Sequence, residues 1–313
     1  MKALVTAELT SDGARRLEAL GYTVERAGWG VTRQALDRAQ LVAAAEGAQL
    51  LVTEIEVVDA DVLAALPDLL LVATARGGPV NVDLAACAAR GIPVMFTPGR
   101  NADSVADFVV GTVLSLVRGI AASERHLRDT GWHVGDEVPY LHFRGPELSQ
   151  LTVGVVGNGA IGARVAQRFR DGFGTTVVVH DPVQGVGPSL GELADQVDLL
   201  SVHCPRSPAT QGLVDAALLA RLGHGWVVNT AGGGIVDEQA LCDALDAGTL
   251  RGAALDVFGA EPLPRDSRLL RTPGLLLTPH LAGAADDVVR HHTDLIVSDV
   301  ERWQRGEPLV HRA

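Results

Sequence analysis

The run Gly157-Asn158-Gly159-Ala160-Ile161-Gly162 is a G-x-G-x-x-G sequence, and a carboxylate, Asp181, follows 24 residues after Gly157. Glycines at this spacing have separate physical jobs. The first permits a tight turn, the second lets the backbone come close to a pyrophosphate, and the third lets a helix pack against the strand before it. A helix starting at Ala160 and Ile161 offers unpaired N–H groups and the positive end of its dipole to phosphate oxygens. Asp181 can then accept hydrogen bonds from an adenosine ribose. No arginine follows in Pro182-Val183-Gln184-Gly185-Val186, so a 2′-phosphate would meet negative charge and no cation. The pattern predicts NAD rather than NADP. A structural glycine turn is the competing reading in a chain with 35 glycines among 313 residues. Strand before, helix after and acid at the right distance favour the nucleotide.

A second glycine-rich loop, Arg76-Gly77-Gly78-Pro79-Val80-Asn81, exposes backbone N–H groups suited to an anion such as a carboxylate. An ordinary strand-to-helix turn is an equal alternative there. Lys2 is the only lysine, which excludes an internal Schiff base or a Walker-type phosphate lysine. Cys87, Cys204 and Cys242 are odd in number, widely spaced and without a C-x-x-C, and read as buried free thiols in a reducing cytoplasm. No metal site is expected.

These groups need elements to hold them. Val153–Val156 reads as a buried parallel strand, Thr176–Val179 as a second strand ending at Asp181, and the segment between as a helix with Ile161, Val165, Ala166 and Phe169 on one face. Upstream, strands are expected at Lys2–Val5, Leu50–Val52, Leu69–Ala73 and Pro93–Phe96. Helices are expected at Ser11–Leu20, Thr32–Ala45, Asp59–Leu66 and Asp83–Arg90. Such alternation predicts an α/β layer with a parallel sheet, its ligands beyond the carboxyl ends of the strands. A long helix, Ala106–Arg118, capped by Asp103 or Ser104, is apolar almost all round and so predicted to be buried on every side, either within a domain or against another subunit. Residues 119–150 show no clear period and read as an arm crossing a surface. Further strands are expected at 197–203, 226–230, 252–258 and 275–280, and a final amphipathic helix at 286–305.

The bulk numbers set the class. A length of 313 residues implies two domains. A net charge of −12 argues against a nucleic-acid or anionic-membrane partner. No apolar run has the length of a membrane span, and the start of the chain lacks the shape of a signal peptide.

Taken together the motifs resemble the NAD-dependent D-isomer-specific 2-hydroxyacid dehydrogenases over nearly the whole chain. ARGGPVNVD (75–83) resembles the family's substrate-carboxylate loop, and NADSVADF (101–108) its hinge helix, with Asp107 where Glu is usual. HCPRSPATQGLV (203–214) is similar to the stretch lying along the adenosine. LDVFGAEPLP (255–264) and TPHLAGA (278–284) carry the family's Asp256, Glu261 and His280. The family's catalytic set is Arg, Glu and His. Its arginine falls in Val-Asn-Thr-Ala-Arg-Gly-Gly, which here reads Val228-Asn229-Thr230-Ala231-Gly232-Gly233-Gly234 without a gap. Gly232 therefore stands at the arginine position.

The resemblance implies interconversion of a D-2-hydroxy acid and its 2-oxo acid by hydride transfer with NAD. His280 would act as general acid/base, with Glu261 fixing its tautomer and favouring its charged form. Arg76, Gly77, Gly78 and Asn101 would bind substrate. Gly157, Gly159, Ala160, Ile161, Gly162, Asp181, His203, Cys204, Pro205, Thr230, Ala231 and Asp256 would bind cofactor. Asp256 reads either as a buried capping acid or as a holder of the nicotinamide amide, the second favoured. Arginine would clamp the carboxylate in a two-pronged contact, and glycine cannot. Either another cation, Arg76 or Arg100, holds the substrate, or the chain is a catalytically impaired or non-catalytic NAD-binding protein of the same fold. The expected architecture is a Rossmann-type NAD domain (99–283) inserted into a flavodoxin-like substrate domain (1–98 and 284–313), in a cytoplasmic homodimer. Glyoxylate, hydroxypyruvate, 3-phosphoglycerate and phosphonate analogues are all open as substrates.

Overall fold

Paired strands run parallel in both sheets of the protein, as apolar runs separated by helices require. The computed structural model describes all residues from Met1 to Ala313, in two units: Met1–Asn101 with Ala285–Ala313, and Ala102–Ala284.

The first unit holds β1 (Lys2–Val5), β2 (Thr23–Arg26), β3 (Ala48–Thr53), β4 (Leu71–Thr74) and β5 (Val94–Met95), in the order β2-β1-β3-β4-β5. This is the flavodoxin-like order. Polar residues placed just before the apolar periods start the helices. Thr10 accepts the Gly13 N–H, Asp59 that of Val62 and Asp83 that of Ala86. The returning helix Asp287–Gln304 buries Ile296, Val297 and Val300 in a core with Val5, Leu17, Leu50 and Leu71.

Two expectations fail here. The helix expected at 32–45 is broken: a turn at Trp29–Thr32 ends at Arg33 in the left-handed region (φ 60°), and a new helix, Arg38–Ala44, starts from an Asp37–Gln40 capping box. Two local signals, a left-handed residue and a reciprocal cap, outweigh the continuous helical period. Strand β2 was not expected. Three of its four residues are exposed, so an edge strand of this kind carries no apolar alternation to read.

The second unit holds β6 (Thr152–Val156), β7 (Thr176–His180), β8 (Leu199–Val202), β9 (Trp226–Asn229), β10 (Gly252–Leu255) and β11 (Leu275–Leu277), in the order β11-β10-β9-β8-β6-β7. It is a Rossmann-type sheet whose strand order reverses between β6 and β8, where ligands of open α/β sheets bind. Helix Ala160–Phe173 buries Val165, Ala166 and Phe169 in one cluster with Val105, Val109 and Val113 of helix Ala102–Val117. Phe169 is fully buried, so Phe169→Ala costs about 3–5 kcal/mol. Arg164 and Arg168 bridge to Asp103, and Arg168 to Asp107, across the same helix pair.

The long helix differs from expectation at its start. It starts at Ala102, so Asp103 lies in its first turn and pairs with arginines instead of capping. Phe108, Val110, Leu114 and Leu116 are only partly covered in a single chain, so its own domain does not bury the helix on every side. The segment expected to lack a period contains helix Ile120–Asp129. That helix is amphipathic but mostly polar, so its period rests on few apolar residues, and it buries none of them in the chain. No single helix of the chain is long and apolar enough to cross a membrane.

Candidate active site

The β6 turn is built as its glycines require. Gly157 has φ +95°, and a Cβ there would lie 2.8 Å from the Cys204 amide nitrogen and 2.9 Å from the His203 carbonyl. A Cβ on Gly162 would lie 1.9 Å from the Gly157 carbonyl oxygen, so helix and strand meet only because both residues are glycine. Gly159 is different. Its φ of −74° suits any residue, yet no atom lies within 4 Å of where its Cβ would be. No side chain caps the helix that starts at Ala160, with Ile161 next. An open face over bare helix-end N–H groups fits a pyrophosphate.

Asp181, at the end of β7, is buried and accepts the N–H groups of Asn158 (2.8 Å), Val183 (3.0 Å) and Gln184 (3.0 Å). These amides hold its carboxyl below the ordinary carboxylate range. A carboxylate has about four acceptor positions, so one is left for a ribose hydroxyl.

Past the switch point, the register of β8 on β9 sets Val202 opposite Asn229, which places His203 and Thr230 side by side beyond the strand ends. His203 Nε2 bonds Ser201 Oγ at 2.8 Å, and burial pushes its imidazole down to about 3, so the ring is neutral. His203 Nδ1 and Thr230 Oγ1 are buried without partners. Two unpaired polar atoms on residues that follow neighbouring strands, at the sheet's carboxyl edge, fit a polar ligand such as a dinucleotide. Cys204 is half-buried with its thiol pushed up by burial, Pro205 is exposed, and the Ala231 amide is held by Asn229 Oδ1 at 3.0 Å.

Asp256, just after β10, is 2% exposed. It accepts the Thr278 hydroxyl (2.7 Å) and the amides of Leu281 (2.7 Å) and Ala282 (2.8 Å). Its visible work is to fix the loop after β11, which carries His280. That residue sits in the left-handed region (φ 57°), its own N–H donating to the Asp256 carbonyl at 2.9 Å. The loop presents the imidazole with its side chain 63% exposed and Nδ1 2.8 Å from Glu261 Oε2. Glu261 Oε1 accepts the Phe258 amide at 2.9 Å. Partial burial alone would raise the Glu261 carboxyl. The His280 hydrogen bond, the Phe258 amide and the charges of His280 and Arg206 outweigh it and hold the carboxyl below its ordinary value. An ionised carboxylate only accepts, so Nδ1 carries hydrogen and Nε2, which has no partner in the chain, is free to exchange a proton.

Gly232 lies in the loop after β9. Asn229 Nδ2 donates to its carbonyl at 3.0 Å, and its φ is not in the left-handed region. A side chain there would start 3.0 Å from Cβ of Arg206. Sequence reading missed Arg206, which is exposed and makes no ion pair or hydrogen bond. The neighbouring Gly233 is obligatory, since its Cβ would lie 1.7 Å from the Phe258 carbonyl oxygen.

The remaining predicted residues belong to the first unit. The Gly77 and Gly78 amides have no acceptor, and space beside both residues is open. Arg76 is partly exposed and reaches only the Glu54 carbonyl, at 3.4 Å. Arg100 is committed, donating to Glu54 Oε1 and His292 Nδ1, each at 2.9 Å. Asn101 is half-buried.

A profile described as the NAD binding domain of D-isomer specific 2-hydroxyacid dehydrogenases matches residues 110–282. The chain is 36% identical over 321 residues to YoaD of Bacillus subtilis (strain 168), which carries a provisional 2-hydroxyacid dehydrogenase name, covering 99% of this chain and 92% of that one. It is 42% identical over 276 residues to the D-3-phosphoglycerate dehydrogenase of Mycobacterium bovis. That match takes in 84% of this chain but only 50% of the relative. Among solved structures it resembles an NADPH-dependent glyoxylate/hydroxypyruvate reductase of Sinorhizobium meliloti, with a TM-score of 0.80 and 30% identity. That likeness covers 100% of this chain and 97% of the other.

Proposed function

The chain belongs to the D-isomer-specific 2-hydroxyacid dehydrogenase family, with its NAD-binding domain, and on that premise we propose that His280 and Glu261 interconvert a small D-2-hydroxy acid and its 2-oxo acid. The observation that carries this reading is the 2.8 Å Glu261–His280 pair with Nε2 left free. NADH, when bound, would supply the hydride that C2 of the oxo acid takes up. As the C=O π bond breaks, His280 Nε2 gives its proton to the oxygen, which becomes the hydroxyl. Glu261 keeps the ring oriented and stabilises the imidazolium before transfer. The free amides of Gly77 and Gly78, with Arg76 and Asn101, fit the substrate-binding role that the family resemblance assigns to that loop.

The Gly159 face, the helix end at Ala160 and Ile161, and the polar edge at His203, Thr230 and Ala231 would hold the dinucleotide, with Asp181 on the ribose. Asp256 positions the His280 loop and has one acceptor position left for the nicotinamide amide. The part-exposed apolar residues Phe108, Val110, Leu114 and Leu116 support a homodimer, and three free cysteines suit a reducing cytoplasm.

The test is NADH consumption with glyoxylate, hydroxypyruvate and 3-phosphohydroxypyruvate, alongside NADH affinity. Turnover that His280→Asn abolishes, at unchanged NADH affinity, is the expected result. Gly232 favours a second reading, an NAD-binding protein without turnover. Tight NADH binding with no oxidation by any 2-oxo acid would establish that one instead.

A further inference from the structure

We propose that Arg206 supplies the guanidinium absent at position 232, binding the carboxylate of the 2-oxo acid and polarising the carbonyl that His280 protonates. The inference rests on the reaction proposed above and names a further residue for it.

The geometry is one of shared origin. A side chain at 232 would begin 3.0 Å from the Arg206 Cβ and 3.8 Å from its Cγ. Side chains at the two positions thus start from nearly the same point. The backbone does not demand glycine at 232, because φ there lies outside the left-handed region. The neighbour crowds the position instead: a side chain there would start in tight contact with the Arg206 stem, which would have to give by a few tenths of an ångström. Side chains at 206 and 232 therefore start from neighbouring points and compete for the same surroundings.

The two loops are also fastened to each other. Gly212 N–H donates to the Gly234 carbonyl at 2.8 Å, and Val214 N–H to the Ile235 carbonyl at 3.0 Å. The Arg206 loop is closed on itself, with the Ser207 amide on Thr210 Oγ1 (2.8 Å) and that hydroxyl on the Pro205 carbonyl (2.8 Å). Gly233, pressed on the Phe258 carbonyl, ties the same loop to the segment that holds Glu261. Position 206 is thus carried on a fixed frame shared with the Glu261–His280 pair. Its positive charge is felt at Glu261. No carboxylate of the chain claims the guanidinium, in contrast to Arg100, which Glu54 and His292 hold. A free, exposed guanidinium whose charge reaches the partner of the proton donor suits a two-pronged contact with a planar carboxylate.

The experiment compares wild type, Arg206→Ala, Arg206→Lys, Gly232→Arg and the exchange variant Arg206→Ala/Gly232→Arg. Three quantities are read: kcat/KM for 2-oxo acid reduction, NADH affinity, and affinity of the NADH complex for oxamate, a non-reducible 2-oxo acid mimic. Arg206→Ala is expected to lower kcat/KM by roughly 10²–10³-fold, as loss of one preorganised donor does, and to weaken oxamate at least tenfold with NADH affinity unchanged. Lysine keeps the charge but loses the fork, and recovers only part. Gly232→Arg alone gives no gain, and the exchange variant recovers at least tenfold over Arg206→Ala.

Retained turnover and oxamate binding in Arg206→Ala, while His280→Asn is inactive, overturns the role of Arg206 and leaves the proposed reaction standing. Weakened NADH with unchanged oxamate assigns Arg206 to the cofactor and also overturns it. If wild type turns over no 2-oxo acid, the reaction fails, and the oxamate arm still decides the binding role. Wild type that neither turns over nor binds oxamate overturns both.

Discussion

Gly159 and Gly162 should fail in opposite ways when each becomes alanine. At Gly159 the backbone is ordinary (φ −74°) and the space beside it is empty to 4 Å. A methyl group there meets no protein atom, and the change at the helix cap costs within about 1 kcal/mol. The same methyl stands on the open face where a pyrophosphate must approach the helix-end N–H groups. Gly159→Ala is therefore expected to weaken NADH at least about tenfold, or ~1.4 kcal/mol, while moving Tm by less than about 4 °C. At Gly162 the methyl would lie 1.9 Å from the Gly157 carbonyl oxygen. Ordinary contact needs well over an ångström more, and both atoms sit on backbone that cannot swing away. Overpacking of this kind costs ~2–3 kcal/mol, against which helix propensity returns up to ~1. A net loss near 2 kcal/mol in a unit of this size lowers Tm by about 4–8 °C. Thermal unfolding followed by circular dichroism and NADH titration by calorimetry separate the two. A Gly159→Ala protein that binds NADH within twofold of wild type would refute the reasoning, as would a Gly162→Ala protein as stable as wild type.

Glu261→Gln should lower kcat/KM for 2-oxo acid reduction by about 10²-fold at unchanged NADH affinity, and a loss confined to KM would contradict it. Glu261's folded-state value is depressed below 4.5. The stability it contributes is therefore complete above that value and lost only as pH falls through the lowered one. Acid titration of wild type against Glu261→Gln should show the two converging only on the acid side, and divergence growing on acidification would reverse the sign. NADH should bind at least about tenfold tighter than NADPH, and Asp181→Ser should narrow the ratio; equal affinities in wild type would remove Asp181 from the ribose. Asp256→Ala strands the Leu281 and Ala282 amides and the Thr278 hydroxyl. It should cost about 3 kcal/mol or more in urea denaturation, and a neutral result would mean the loop finds other partners.

What could be read from the chain follows from where the determining interactions lie. The nucleotide turn was legible because strand, glycines, helix and acid are local and consecutive, from Thr152 to Asp181. The Glu261–His280 pair could be named through resemblance, but its 2.8 Å contact depends on Asp256 holding the loop after β11, a bond across 26 residues to Ala282. Edge strand β2 was missed because it has no apolar alternation, and helix Ile120–Asp129 because its period is carried by few apolar residues. The break at Arg33 was missed because a single left-handed residue leaves no mark on periodicity. Arg206 was invisible for a different reason. Its neighbour Gly232 comes to it through the register of β8 on β9, so a reader moving along the chain sees one vanished arginine and not an adjacent one.

The backbone at position 280 has a consequence for any variant made there. A φ of 57° is tolerated by glycine and asparagine, less readily by alanine, and scarcely by valine, isoleucine or threonine. Replacements at this site are thus filtered twice, once by whether they can exchange a proton and once by whether the loop can keep its shape. Asparagine passes the second filter while failing the first, whereas a branched residue fails both. A library at 280 scored by activity alone would confuse the two losses, and only the asparagine and glycine members would report on chemistry by itself.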